Sequence, residues 1–410
     1  MKTNVIIIGG GAAGFFAAVN MAEFNPYLQV TILEKGSRVL EKVKVSGGGR
    51  CNVTNACFEP KELVQFYPRG QKELLGPFHQ FMTGDTMEWF ETRGVELKIE
   101  EDGRVFPVSN SSQTIIDCLE NHAKRLGVKV KLNTKVASIE AFGETFHVKT
   151  DKELFIADKL LIATGSNTKI WDLLSQLGHH IIKPVPSLFT FKIKSTLIEN
   201  LPGVSVSKAT VSIPEEKLES SGPVLITHWG LSGPAILKLS AIAANYFAEK
   251  NYQLPVHVNW LSKSYEKVFH ELLQCKRDFS KRQIGLKSVF EQIPNRLWQN
   301  FISVSGMNSE FRWADVNNKD LENLAQHLTR SVFYVDGKTT FKEEFVTAGG
   351  IDLKEIDFKK FESKIHPNLY FAGETLNIDA VTGGFNFQNA WTGAYIAARA
   401  IADCEKRNFI

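Results

Sequence analysis

The chain has 410 residues, 48 Lys and Arg against 45 Asp and Glu, a formal charge of +3 and 43% hydrophobic residues. That length accommodates two or three domains with large cores, and the composition is that of an ordinary globular protein. The near-neutral balance gives no electrostatic case for bulk nucleic-acid binding, no apolar run reaches the ~18–20 residues that span a bilayer, and the five scattered cysteines form neither a redox pair nor a zinc spacing.

The chain opens on an apolar run, Val5 to Ile8, that breaks at once into Gly9-Gly10-Gly11-Ala12-Ala13-Gly14. A helix is predicted from Phe15 to about Phe24, and a second apolar run, Val30 to Leu33, ends in Glu34-Lys35. Strand, glycine turn, helix, strand and acid follow in the order of a dinucleotide-binding unit. Gly9 permits the turn, Gly11 lets backbone approach a pyrophosphate, and Gly14 lets helix pack on strand. Ala12 and Ala13 lead into the helix start, where free N–H groups and a partial positive charge attract phosphate. Glu34 is placed to accept hydrogen bonds from a ribose, with Lys35 beside it. Lys35, Arg38, Lys42, Lys44 and Arg50 form a local basic run; all but Arg50, taken up below, read equally well as solvated surface or as a pyrophosphate neighbourhood.

Ser111-Ser112 reads as a helix start, with the helix running to Arg125 and Gly127 ending it. Val128 to Leu132 alternates as a strand, and Val136 to Ala141 with Phe146 to Lys149 reads as a hairpin. In FAD proteins of the two-dinucleotide-binding type such a crossover lies beside the adenine, which places Val136 there. Such proteins often carry two further strands that stop at glycine. Here Leu160 to Ile162 runs into Ala163-Thr164-Gly165, and Leu369 to Ala372 runs into Gly373-Glu374. Their order points to FAD rather than free NAD. No second glycine fingerprint follows a strand, so a separate NADPH domain is not expected.

The texture changes near Ser187. Phe189 to Lys194, Lys208 to Ile213 and Pro223 to Thr227 read as short strands, Ser262 to Leu328 as helices, and Val332 to Val335 and Glu344 to Thr347 as returning strands. The expected organisation is an FAD-binding domain over 1–186 and 348–410. An inserted β domain occupies 187–261 and 331–347, and a helical subdomain fills 262–330.

Three motifs then become specific: Lys44-Val45-Ser46-Gly47-Gly48-Gly49-Arg50-Cys51-Asn52-Val53-Thr54-Asn55; Thr227-His228-Trp229-Gly230-Leu231-Ser232-Gly233-Pro234-Ala235; and Gly373-Glu374 through Asp379 to Thr382-Gly383-Gly384-Phe385-Asn386-Phe387-Gln388. Together they closely resemble a family of bacterial flavoproteins known as NAD(P)/FAD-dependent oxidoreductases, with aminoacetone-oxidase-like members and a bile-acid-pathway flavoprotein. The resemblance covers essentially the whole chain. It implies an α/β, Rossmann-like FAD domain of the two-dinucleotide-binding type, with an inserted β-barrel-like domain, a helical subdomain and bound FAD. The family often has Asp at Asn377, Gly at Ala380 and Tyr at Phe385.

On chemistry, Gly49, Arg50, Cys51 and Asn52 are expected against the diphosphate or isoalloxazine, Cys51 as a packed neighbour rather than a redox thiol. The helix from about Phe385 to Ala402, preceded by Gly383 and Gly384, can point N–H groups at the flavin edge where reduced flavin is negative. Asp379 and Asn386 fall in the same motif. His228, before a helix start at Ser232, is the candidate acid/base group. No histidine shows metal-ligand spacing. The leading reading is an FAD-dependent oxidoreductase in a reducing cytoplasm. It would exchange hydride between flavin N5 and a small organic molecule, with NAD(P)H as a transiently docking donor and no nucleic-acid or membrane partner. A flavin-dependent tRNA-modifying enzyme and a non-enzymatic flavin-binding redox reporter are the alternatives. Nothing in the sequence specifies an oligomeric state.

Overall fold

The structure, a computed structural model, describes residues 2–339 and 346–406, with side chains to 403. The expected strand at Glu344–Thr347 therefore begins outside the described residues, as does the side chain of Cys404. The chain divides into two compact units, Met1–Pro184 with Thr347–Ile410, and Val185–Val346.

The first unit is built on a seven-stranded sheet. Five parallel strands form its body: β1 (Asn4–Ile8), β2 (Gln29–Leu33), β3 (Lys129–Lys131), β4 (Lys159–Ile162) and β5 (Leu369–Phe371), in the spatial order β5-β4-β1-β2-β3. Two short antiparallel strands, Glu362–Ser363 and Ile356–Asp357, extend it beyond β5. The apolar runs of β1, β4 and β5 do not alternate because both faces of a parallel sheet are covered. Ile6 pairs with Thr31 on one side and Leu160 on the other, and Ile162 with Phe371. The three glycine-terminated strands thus stand side by side with their carboxyl ends together.

Helix α1 (Ala12–Phe24) is buried from Ala13 to Ala22 and packs along the C-terminal helix α2 (Phe385–Lys406). The expected hairpin is the first pair of a three-stranded antiparallel sheet, Val136–Phe142, Thr145–Thr150 and Leu154–Ala157. The helix expected after Ser111 runs Ser112–Arg125, with Ser111 Oγ accepting from the Gln113 N–H.

At the antiparallel edge, His179 is fully buried between Glu355 and Ser363, with Nδ1 2.8 Å from Glu355 Oε2 and Nε2 3.1 Å from Ser363 Oγ. Burial, partly offset by Glu355, holds this imidazole below its ordinary 6.5, and burial does the same to His257 and His327. As pH falls, the unfolded chain takes up these protons first. Their stabilisation is complete above a pH of about 6.5 and is lost below it. Melting temperature is therefore expected to fall between pH 7 and pH 5.5, and a flat profile across that window would count against this assignment.

The second unit is a closed six-stranded barrel with a helical insertion. Around the barrel the strands run Thr190–Ile193, Gly230–Ser232, Leu218–Thr227, Ser205–Ile213, Gln253–Asn259 and Ser331–Thr339, and the last pairs with the first. Gln253–Asn259 and Ser331–Thr339 are direct neighbours, Val256 opposite Phe333, although some 70 residues separate them in sequence. Those residues carry helices Tyr265–Asp278, Asn295–Val304 and Asn318–Arg330, the first and last packed on each other. Trp260, Trp298 and Phe301 are fully buried in a core shared by barrel and helices. No helix among the described residues is long and apolar enough to cross a membrane.

Candidate functional site

The site of the first unit is built at the carboxyl ends of β1, β4 and β5. A Cβ at Gly14 would overlap the Gly9 carbonyl oxygen, so glycine there sets how closely α1 approaches the turn. The first turn of α1 holds no acidic residue, and its N-cap, Gly11, supplies no side-chain hydrogen bond. A Cβ added at Gly11 meets nothing within 4 Å. The uncapped N–H groups therefore open onto space, the arrangement that receives a phosphate.

Next to this turn lies a cleft of about 410 Å³, lined by Gly9, Glu34, Lys35, Val136, Thr164 and also Thr134, Lys135 and Asn167 to Ile170. Glu34 Oε2 accepts from Gly10 N–H at 2.8 Å and Oε1 from Gly36 N–H at 2.7 Å. These bonds fix the carboxylate and leave each oxygen a further lone pair. Thr164 Oγ1 is buried without a partner. A buried hydroxyl in that condition costs free energy unless something in the cleft bonds to it. The cleft residues missed in the sequence follow the Ala-Thr-Gly strand end. Ser166-Asn167-Thr168 carries a cap signal, and Asn167 Oδ1 does accept from Lys169 N–H, starting helix Thr168–Gln176.

At the other strand ends, Gly373 lies against Ala13 and Ala390, and Gly165 faces the Glu374–Lys42 ion pair, 2.6 Å between Oε2 and Nζ. The segment Glu41–Gly49 leaves helical geometry at Ser46, and Gly47, Gly48 and Gly49 take φ of 56°, 68° and 82°. Around Gly48 and Gly49 there is open space.

Several motif residues have their polar atoms engaged within the protein. Arg50 pairs with Glu100 at 2.7 Å and its guanidinium lies 3.9 Å above the Phe106 ring. Asn52, oriented to satisfy its neighbours, accepts from Gly384 N–H at 2.9 Å and donates to the Thr54 and Val105 carbonyls. Gly383 accepts from Asn55 through its carbonyl, Asn386 clamps Ala380 by N–H and C=O, and Phe385 stacks on Phe66 at 4.1 Å. Asp379, with no exposed side-chain surface, makes a bidentate pair with Arg69. Ala163 is a buried part of the β4 end, its carbonyl against Gly9. Cys51 is fully buried and burial pushes its thiol up to about 12, so it is an uncharged packed group at neutral pH.

His228 belongs to the second unit. It is exposed at the turn between strands Leu218–Thr227 and Gly230–Ser232, and the turn is pinned by Thr227 Oγ1, which donates to the Gly230 carbonyl and accepts from Trp229 N–H. Trp229 beside it is 55% exposed. The helix start expected at Ser232 lies one residue later, with Gly233 as N-cap and Pro234 in the first turn. Among the described residues no group of three or more His, Cys, Asp or Glu is placed to hold a metal ion.

The chain is 27% identical over 411 residues to a 3-dehydro-bile acid delta(4,6)-reductase of Clostridium scindens, covering 97% of this chain and 98% of the relative. It is 27% identical over 415 residues to a ribosomal RNA dihydrouridine synthase of Haemophilus influenzae, at the same coverage. In fold it is similar to a 3-ketosteroid-delta4-(5alpha)-dehydrogenase from Rhodococcus jostii RHA1, with a TM-score of 0.51 at 12% identity over 98% of this chain and 97% of that one. The family model described as the HI0933-like protein Rossmann domain matches residues 3–400. With that match spanning nearly its whole length, the chain belongs to the HI0933-like Rossmann family, of flavoprotein oxidoreductase type.

Proposed function

We propose that this chain binds FAD across the ends of β1, β4 and β5 and reduces a carbon–carbon double bond conjugated to a carbonyl. The observation that carries the cofactor assignment is the uncapped start of α1 opening beside a cleft that holds Glu34 and the orphaned Thr164 hydroxyl. These residues fit a long dinucleotide. Glu34, Lys35 and Val136 suit the adenosine, Gly11 to Gly14 the diphosphate, and Gly48, Gly49, Gly165, Gly373 and Glu374 the far end. Arg50, Cys51, Asn52, Asp379, Gly383, Gly384, Phe385 and Asn386 act one step back, holding the loops that shape this cradle.

The reaction class rests on the two full-length relatives. A delta(4,6)-reductase of a 3-dehydro acid and a dihydrouridine synthase both saturate a double bond conjugated to a carbonyl. Such a step needs hydride at the β carbon and a proton at the α carbon. FAD, when bound, supplies the hydride, renewed by a transiently docking NAD(P)H. The protein's own tasks are to orient the carbonyl, exclude water and deliver the proton. His228 is the candidate donor, an exposed imidazole on a fixed turn.

The test is anaerobic stopped-flow. Protein loaded with FAD is reduced with NADH or NADPH, then mixed with cyclic enones, with uridine-containing RNA and with oxygen. Reoxidation by an enone or a uracil base, slowed at least tenfold in His228→Asn with cofactor content unchanged, is the expected result. Failure to take up FAD, or reoxidation by oxygen alone, would defeat the reading. A free small molecule is the first substrate class. A uracil ring within RNA is the second, favoured by the Haemophilus relative.

A further inference from the structure

Between helices Tyr265–Asp278 and Asn295–Val304 the chain makes an irregular excursion over 279–294. It is not loose. Trp298 Nε1 donates to the Ile284 carbonyl, Asn295 holds Ser288 and Leu286, and Gly285 packs so tightly on Ser309 that a Cβ would overlap it. This fixed excursion walls an open groove of about 820 Å³. Arg282 and Lys287 line it, Glu291 being the one carboxylate among the lining residues. From Phe279 to Arg296 the sequence carries Lys281, Arg282, Lys287 and Arg296 against Glu291 alone. Among the described residues none of these four cations pairs with a carboxylate; Arg296 donates to the Asn200 carbonyl at 2.7 Å and the Arg282 guanidinium lies 5.2 Å from the centre of the Phe279 ring. Leu286, 61% exposed, lines the groove, and two exposed rings flank the excursion outside that lining, Phe311 at 43% and Phe279 at 37%. The first turn of the following helix, without side-chain cap or acid, opens onto the same groove at Pro294 and Asn295.

We propose that this groove and the excursion around it form a docking surface for RNA, the cations contacting phosphates and the exposed phenylalanines beside the groove offering faces on which bases stack. It rests on the reading in which the reduced double bond belongs to a uracil ring in RNA. The charge argument is local. A net charge of +3 over the whole chain conceals four cations to one carboxylate within eighteen consecutive residues. A rigid groove lined by Arg282 and Lys287, with Lys281 and Arg296 on the same excursion and room for more than a single phosphate, matches a polyanion, and aromatic side chains beside basic ones are the recurring pattern of single-strand recognition. An acidic peptide would meet the charges but would give the exposed rings nothing to stack on.

The experiment measures fluorescence anisotropy of a labelled, uridine-containing RNA hairpin of about 20 nucleotides at 50 and 200 mM salt. The full-length protein is used. K281E/R282E/K287E is compared with the wild type and with a control of equal charge change elsewhere in the unit, K217E/K250E/K267E. The expected result is salt-sensitive binding by wild type and control. The groove variant should bind about 10–100-fold more weakly at 50 mM salt, its salt slope smaller by roughly 2, three contacts at about 0.7 each for single strands. Absence of binding by the wild type, equal loss in the control, or equal binding of a polyglutamate peptide would overturn the proposal. FAD uptake and enone-driven reoxidation are read in parallel on all three proteins. Their failure would sink the flavin reading and leave the RNA result standing on its own.

Discussion

Replacing Gly14 by alanine is expected to strip the protein of FAD and lower its melting temperature by roughly 2–12 °C. The added methyl would overlap the Gly9 carbonyl oxygen, which is backbone and has no rotamer to yield. Relief requires α1 to lift from the turn, and α1 is buried along most of its length, so the strain spreads into the core. Overpacking of this kind costs about 1–3 kcal/mol, and a domain of this size loses ~2–4 °C per kcal/mol. Gly11→Ala is the informative partner. Its methyl meets nothing within 4 Å, so the cofactor-free protein should melt unchanged. If backbone at Gly11 touches the diphosphate, FAD affinity should still fall at least tenfold. Equilibrium dialysis with differential scanning fluorimetry separates the two effects. Unchanged FAD affinity in Gly11→Ala would remove the phosphate from this turn.

The second large effect is expected at Asp379. Its carboxylate is wholly buried and gripped by both ends of the Arg69 fork, whose side chain is only 13% exposed. Removing one partner of such a pair leaves the other charge buried and uncompensated, at a cost of about 3–5 kcal/mol. Asp379→Ala should therefore lower the urea midpoint and bring the melting temperature down by roughly 6–20 °C. The pair also closes an isolated bridge between the two backbones just ahead of Gly383 and Gly384. FAD should dissociate faster from the variant in consequence. Restoring neutrality with Arg69→Met in the same chain should recover part of the stability. A double variant as unstable as Asp379→Ala would show that the loop depends on the hydrogen bonds and not on the balance of charge.

How much of this was legible beforehand depends on the reach of each interaction. The turn from Gly9 to Gly14, the acid at Glu34 and the strands ending at Gly165 and Gly373 are local signals, and they fall where expected. The alternation from Phe189 to Lys194 likewise marked a barrel strand. What the sequence leaves hidden is whether a motif's polar atoms turn outward or toward the protein. The amide of Asn52, expected beside the cofactor, accepts from Gly384, 332 residues away in sequence, and bonds the Thr54 and Val105 carbonyls. Arg50 found Glu100 and a ring face, and Glu374 found Lys42. No spacing rule links such distant pairs. Summed charge is silent in a different way, because a total near zero cannot report where cations gather along the chain.

The first unit is assembled from two stretches of chain, with the barrel unit lying between them in sequence. During synthesis, β1, α1, β2 and β4 emerge long before β5 and α2 exist. At ~5–20 residues per second the ribosome needs roughly 10–30 s to pass the intervening barrel. Throughout that interval the apolar flank of α1 that α2 later covers stays wet, while the barrel, contiguous in sequence, is free to close first. Maturation of this protein is therefore expected to run from the middle outward, and a nascent chain halted before β5 should present chaperones with an unfinished half-sandwich.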